Sequence, residues 1–216
     1  MRQTTIDLIQ ETKLITIVRG LEPHALRNLA QALLDGGVRM IEITFSQNEP
    51  DSWKETAEGI RQLSSFFPGK LLVGAGTVMS LEQLSMAFDA GAQYIISPNV
   101  DEEIINHTRK LSLVSLPGAM TATEIVIAYK AGADMVKVFP VGTLGPGYIK
   151  SVRGPLSNIP LLAVGGINEQ NAGDYIKAGA MGVGVGGNLV NKQWIANGEF
   201  DKITTLAKLY VQAVRG

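Results

Sequence analysis

Lys137 stands inside Asp134-Met-Val-Lys-Val-Phe-Pro140, an otherwise apolar run, and Glu42 stands inside the equally apolar Met40-Ile-Glu-Ile-Thr44. Strand alternation sends Val136 and Val138 to one face and Met135, Lys137 and Phe139 to the other, and it groups Glu42 with Met40 and Thr44. If those faces line an enclosed interior, two opposite charges are being held out of water. An amine so placed loses basicity, and a neutral amine is a nucleophile for a carbonyl carbon. Lys137 is therefore a Schiff-base candidate, and Glu42 is the carboxylate that would move protons beside it. A buried ion pair, or a lysine reaching solvent from a strand end, is the competing reading of the same residues.

Other reactive or small groups fall where apolar runs stop. Arg19-Gly20 follows Leu14–Val18, Gly74-Ala-Gly-Thr77 follows Leu71–Val73, Ser97-Pro98 follows Tyr94-Ile-Ile96, and Pro117-Gly118 follows Leu113–Leu116. Arg19 is placed to meet a substrate carboxylate or phosphate. Gly74–Thr77 continues as Val-Met-Ser, which breaks the spacing of a dinucleotide fingerprint. Two glycine pairs, Gly165-Gly166 and Gly186-Gly187 followed by Asn188, close the last two apolar runs. Bare glycine backbone there lets N–H groups approach phosphate oxygens. His24 and His107 share no ligand spacing and the chain has no cysteine, so neither a metal site nor a cofactor is expected.

These residues need elements that bring them together. Four segments repeat one phrase, at Gly37-Val-Arg-Met, Gly91-Ala-Gln-Tyr, Gly132-Ala-Asp-Met and Gly179-Ala-Met-Gly, and each reads as a helix stop followed by a buried strand. Leu14–Val18, Leu71–Val73, Leu113–Leu116 and Leu161–Val164 supply strands between them, which makes eight. Helical periodicity marks Pro23–Leu34, Leu81–Asp89 and Ile203–Val214, and capping boxes are expected at Ser80–Gln83 and Thr121–Glu124. Alternating strands and helices imply a parallel sheet, and eight units imply an α/β (β/α)8 TIM barrel, with an open doubly wound sheet as the alternative. Residues 1–12 would form an extra helix at the barrel base. In such a barrel the chemistry gathers where strands end and βα loops begin, and phosphate is commonly held after the last two strands.

At 216 residues and 45% hydrophobic content the chain suits one barrel domain over 1–216. Its formal charge of −1 points to no nucleic acid and no anionic membrane as partner. Met1–Lys13 has no hydrophobic signal core, no run is long enough to span a membrane, and the absence of cysteine is compatible with a reducing cytoplasm. The expected location is cytoplasmic.

Over essentially its full length the chain resembles the class I 2-keto-3-deoxy-6-phosphogluconate (KDPG) and 4-hydroxy-2-oxoglutarate (KHG) aldolases. The residues that carry the resemblance are Ile41-Glu-Ile-Thr44, Gly74-Ala-Gly-Thr-Val78, Ile96-Ser-Pro98, Pro117-Gly-Ala-Met-Thr-Ala-Thr-Glu124, Val136-Lys-Val-Phe-Pro140 and Gly165-Gly166. The resemblance implies Lys137 as Schiff-base lysine and Glu42 as proton shuttle. It further implies a pyruvate pocket lined by Thr77, Pro98 and Phe139, glycine loops that hold phosphate, no cofactor, and a homotrimer. The expected reaction is cleavage of KDPG, a phosphorylated 2-keto acid, to pyruvate and D-glyceraldehyde 3-phosphate, with 4-hydroxy-2-oxoglutarate as a further substrate. Ser46, Val164 and Asn188 depart from the gluconate-type pattern of arginine, threonine and serine. Arg19-Gly20, Val164 and Leu144-Gly-Pro-Gly-Tyr-Ile-Lys150 look more like the branch acting on 2-keto-3-deoxy-6-phosphogalactonate. A phosphate-binding barrel enzyme without a covalent lysine, or a non-catalytic phosphosugar-binding protein, would share the glycine loops.

Overall fold

The computed structural model describes residues 2–216. Among them are nine strands: β1 (Leu14–Val18), β2 (Met40–Thr44), β3 (Leu72–Gly76), β4 (Tyr94–Ile96), β5 (Val114–Leu116), β6 (Gly118–Ala119), β7 (Val136–Val138), β8 (Leu161–Val164) and β9 (Gly182–Val185). They pair in parallel in the order β5-β4-β3-β2-β1-β9-β8-β7-β6. β5 and β6 are one extended segment interrupted at Pro117, which has no N–H to give a ladder. β5 pairs with β4 and β6 pairs with β7. Asp134 N–H donates to Ser115 O at 3.0 Å, Lys137 N–H to Pro117 O at 2.9 Å, and Phe139 N–H to Ala119 O at 3.1 Å, which closes the ring. The eight expected strands are therefore present in barrel order, and the open-sheet alternative is excluded.

The helices are α1 (Arg2–Thr12), α2 (Pro23–Asp35), α3 (Trp53–Phe66), α4 (Leu81–Asp89), α5 (Glu102–Lys110), α6 (Ala122–Ala131), α7 (Gly145–Arg153), α8 (Ala172–Lys177), α9 (Lys192–Ala196) and α10 (Phe200–Arg215). α1 is the expected extra helix. Its Ile9 is fully buried with Ile15, Met40, Met135 and Leu162 inside the barrel, while Met1, the first residue of that expectation, lies outside the described residues. Alternation divides the apolar residues into this interior cluster and a larger layer between sheet and helices that holds Leu14, Val18, Ile41, Ile43, Val136 and Val138.

The four repeated glycines end helices in the left-handed region that side chains avoid: Gly37 at φ 90°, Gly91 at 91°, Gly132 at 106° and Gly179 at 103°. The two capping boxes differ. Thr121 and Glu124 cap α6 reciprocally. Ser80 accepts from Gln83 N–H at 3.2 Å, but the Gln83 side chain does not return the bond. Its oxygen accepts from Met79 N–H at 2.7 Å, and its NH2 group donates to Gln47 Oε1 at 3.3 Å. The buried amide is thus spent on tying the loop after β2 to the loop after β3, where Gln47 Nε2 donates to Thr77 O at 2.8 Å.

Candidate active site

Glu42 and Lys137 point into the barrel, with only 1% and 7% of their surfaces exposed. Burial pushes the Glu42 carboxyl above its ordinary value, and the Lys137 and Arg19 charges pull it partly back. Burial also lowers the Lys137 ammonium below its ordinary value, against the Glu42 charge that raises it, while Arg19 adds to the lowering. Burial thus moves both equilibria in the direction of the neutral forms, a free amine and a protonated carboxyl. The Phe139 ring lies 4.8 Å from Lys137 Nζ.

β3 explains how a carboxylate fits inside a barrel. Glu42, Gly74 and Tyr94 are register neighbours on three adjacent strands. A Cβ on Gly74 would lie 2.2 Å from the Tyr94 ring, and one on Gly76 would lie 1.6 Å from Glu42 Oε1. Gly74 and Gly76, on the inward face of β3 beyond Leu72, are glycine because larger neighbours occupy their space. This also makes β3 longer than the Leu71–Val73 expected, since Gly74-Ala-Gly76 is strand rather than loop. Thr77, the next residue, sits at φ 56°, an uncommon and strained conformation for a β-branched side chain.

A cavity of about 860 Å³ opens over this pair at the ends of the strands. Its wall includes all twelve residues expected from the sequence: Arg19, Glu42, Thr77, Pro98, Lys137, Phe139, Val164, Gly165, Gly166, Gly186, Gly187 and Asn188. The two glycine pairs turn out unlike. Gly165 and Gly166 have φ of 99° and 72°, so their turn itself requires glycine. Gly186 and Gly187 show no positive φ, and a Cβ on Gly187 would meet nothing within 4 Å. Neither turn geometry nor packing calls for glycine at 187. The Asn188 NH2 group donates to Ile167 O at 2.8 Å, joining the loops after β8 and β9.

Ser46 lies instead in an adjoining cleft of about 500 Å³ that shares Arg19 and Thr77 with the main cavity. Its carbonyl accepts from Trp53 Nε1 at 2.6 Å. The cavity wall further includes Ile17, Gly184, Val190, Asn191, Lys192 and Gln193, which the sequence reading did not single out. Ile17 is two residues before Arg19 and follows from alternation. Gly184 pairs with Val164, and a Cβ on it would lie 2.9 Å from Val164 Cγ2. Lys192 had no comparable signal, because nothing local says which way the chain turns after the last glycine pair.

Comparison with known proteins agrees with this geometry. The family profile for KDPG and KHG aldolase matches residues 5–206. The chain is 34% identical over 203 residues to a 2-dehydro-3-deoxy-6-phosphogalactonate aldolase of Escherichia coli, covering 94% of this chain and 96% of the other. A KHG/KDPG aldolase of the same organism is 30% identical over 203 residues, covering 93% and 91%. Among solved structures, a KDPG aldolase from Legionella pneumophila with pyruvate captured as a covalent carbinolamine superimposes with a TM-score of 0.83 at 26% identity, covering 93% of this chain and 95% of the other.

Proposed function

The chain belongs to the KDPG and KHG aldolase family, which makes it a lyase, and from that premise we propose that it cleaves a 2-keto-3-deoxy-6-phosphoaldonate through a Schiff base on Lys137. The observation that carries this reading is the buried Glu42 and Lys137 on the wall of one cavity, each shifted toward its neutral form. Neutral Lys137 attacks the C2 ketone to give a carbinolamine, and Glu42 gives its proton to the departing hydroxyl, so that water leaves and an iminium stands beside the Glu42 carboxylate. Glu42, directly or through a water, removes the C4 hydroxyl proton. The C4–O electrons form the aldehyde, the C3–C4 bond breaks, and its electrons pass to the iminium nitrogen as an enamine. Glyceraldehyde 3-phosphate leaves. A proton returned to C3 from Glu42 gives the pyruvate iminium, which water hydrolyses to pyruvate and free Lys137. The iminium is the electron sink, so the chemistry needs no cofactor. Positioned proton transfer of this kind contributes roughly 10²–10⁴-fold.

Thr77, Pro98 and Phe139 enclose the pyruvate half, Arg19 meets an anionic or hydroxylated part of the substrate, and the loops carrying Gly165-Gly166 and Gly186-Gly187 receive the phosphate. For the substrate itself, the galactonate epimer is our first reading. Val164 on the cavity wall offers no hydroxyl, and the identity to the phosphogalactonate relative is 34% against 30% for the KHG/KDPG relative. The gluconate epimer, with 4-hydroxy-2-oxoglutarate, is the second reading, supported by the shared motifs. Copies of the chain would assemble as a trimer by covering exposed apolar side chains such as Met79, Phe88 and Ile127.

Borohydride reduction with pyruvate, followed by mass analysis, tests the central claim. Lys137 should gain the reduced pyruvyl group, and activity should survive a chelator. An unmodified Lys137 in folded, pyruvate-saturated protein removes the Schiff-base mechanism.

A further inference from the structure

Four charged side chains line the cavity: Arg19, Glu42, Lys137 and Lys192. The first three act on one another, since the Glu42 and Lys137 protonation equilibria are each displaced by the other and by Arg19. Lys192 perturbs neither. It follows Gly186, Gly187, Asn188 and Asn191 in the chain's course after β9, opens α9, and lines the same cavity as the two glycines. Among the described residues no carboxylate forms an ion pair with it. Nζ donates to Gly20 O at 3.1 Å, a carbonyl and not a carboxylate. A Cβ on Gly20 would lie 3.4 Å from that nitrogen, in van der Waals contact, and Gly20 itself sits at φ 56°. The loop after β1 thus approaches Lys192 through a glycine, and one of three ammonium donors is used.

The glycine loops can offer hydrogen bonds to a phosphate but no full positive charge. Arg19 and Lys137 are coupled to Glu42, which under the aldolase reading assigns both to the keto-acid end. A dianionic phosphate at the far end of the substrate therefore has one charged side chain left to meet on this wall. We propose that Lys192 is the specificity-determining cation for the substrate phosphate, making the enzyme prefer phosphorylated over unphosphorylated 2-keto-3-deoxy acids. The proposal rests on the aldolase reading for its substrate, and it predicts a role that is separable from the covalent chemistry.

The test compares wild type, Lys192→Met and Lys192→Arg on the 6-phosphorylated 2-keto-3-deoxy acid and on its unphosphorylated counterpart. Lys192→Met should lower kcat/KM for the phosphorylated acid about tenfold, as expected for one charge-assisted hydrogen bond at a solvent-reached site, with KM carrying the change. The unphosphorylated acid should be turned over as by wild type. Lys192→Arg should restore most of the loss, and Lys192→Met should flatten the salt dependence of kcat/KM. Equal loss on both substrates would mean that Lys192 only braces the Gly20 loop beside Arg19, and no loss on either would make it a bystander; both results overturn the proposal. Calorimetric binding of inorganic phosphate reads the same position without turnover, and affinity unchanged in Lys192→Met overturns it as well. Pyruvate trapping on Lys137 should be equal in all three proteins. Its failure in wild type would remove the aldolase mechanism, while the phosphate measurement would still decide Lys192.

Discussion

Lys137 owes its lowered basicity to burial, and the two charges nearest to it pull in opposite directions. This gives the pH profile of pyruvate trapping a sign that can be checked. The rate should rise with pH as the amine loses its proton and level off below 10.5, the ordinary lysine value. Replacing Glu42 by Gln removes the charge that favours the ammonium, so the limb should move to lower pH. Arg19→Ala removes a charge that disfavours it, so the limb should move to higher pH. A profile unmoved by either change would mean that Lys137 does not sense these neighbours. Glu42→Gln should also retain some trapping while proton exchange at the pyruvate methyl group slows greatly, because imine formation and C3 proton transfer are separate steps. Normal exchange with only lost stability would reduce Glu42 to an ion-pair partner. For Arg19→Ala, kcat/KM should fall by about 1.5–3 kcal/mol equivalent, the worth of a hydrogen bond to a charged group.

At the level of elements, β3 and the β8–β9 pair set the shape of the site. Gly76→Ala puts a methyl group where Glu42 Oε1 now stands, so the carboxyl or the strand must move. Overpacking of this kind costs about 1–3 kcal/mol, and the displaced Glu42 should lose roughly 10²-fold or more in methyl-proton exchange. Thermal denaturation and exchange measured on the same sample separate the two effects. Val164 is held against Gly184 on the cavity wall, and in the proposed reaction it would lie beside the part of the substrate that differs between the two epimers. The gluconate and galactonate acids differ at C4, the carbon whose hydroxyl is deprotonated. Threonine keeps the shape of valine and adds a hydrogen-bonding group, so Val164→Thr should shift the epimer preference roughly tenfold toward the gluconate acid, the worth of about 0.5–1.5 kcal/mol. A wild type that strongly prefers the gluconate acid, unaltered by threonine, would remove the galactonate reading.

For the whole molecule, the buried pair is a source of instability. Lys137 titrates below its unfolded value, so the folded state binds fewer protons there and stability rises with pH toward 10.5. Glu42 titrates above 4.5, so the folded state holds its proton longer and stability falls as pH climbs from 4.5 through the raised value. Near neutral pH, above 4.5 and below 10.5, both shifts count against the folded state. Lys137→Met combined with Glu42→Gln should therefore be inactive yet more stable, by about 1–4 kcal/mol if it follows other buried pairs replaced by neutral groups. Melting temperature near neutral pH checks this, at about 2–4 °C per kcal/mol for a chain of this size. A lower melting temperature would show that the pair holds the barrel together. Sedimentation should find three copies, and a monomer at micromolar concentration would leave the exposed Phe88 and Ile127 without that explanation.

The alternation around Lys137 and Glu42 and the repeated glycines were enough, read from the sequence, to place both charges inside a barrel of eight strands. They are local signals: side-chain direction in a strand and left-handed helix ends depend on residues a few positions apart. Gly165-Gly166 and Gly186-Gly187 were legible for the same reason, as interruptions of apolar runs. Only the tertiary structure decided the rest. Gly76 is glycine because of Glu42 on the neighbouring strand, and Gly74 because of Tyr94 on the other side. The Gln83 side chain accepts from Met79 N–H in place of Ser80 N–H and donates through its NH2 group to Gln47 far along the chain. Lys192 enters the cavity because the loop after β9 folds back onto Gly20 after β1. Each of these is a contact between segments distant in sequence: lateral pairing of β2, β3 and β4 creates the first three, and closure of the barrel, which brings the last strand beside the first, creates the contact of Lys192 with Gly20.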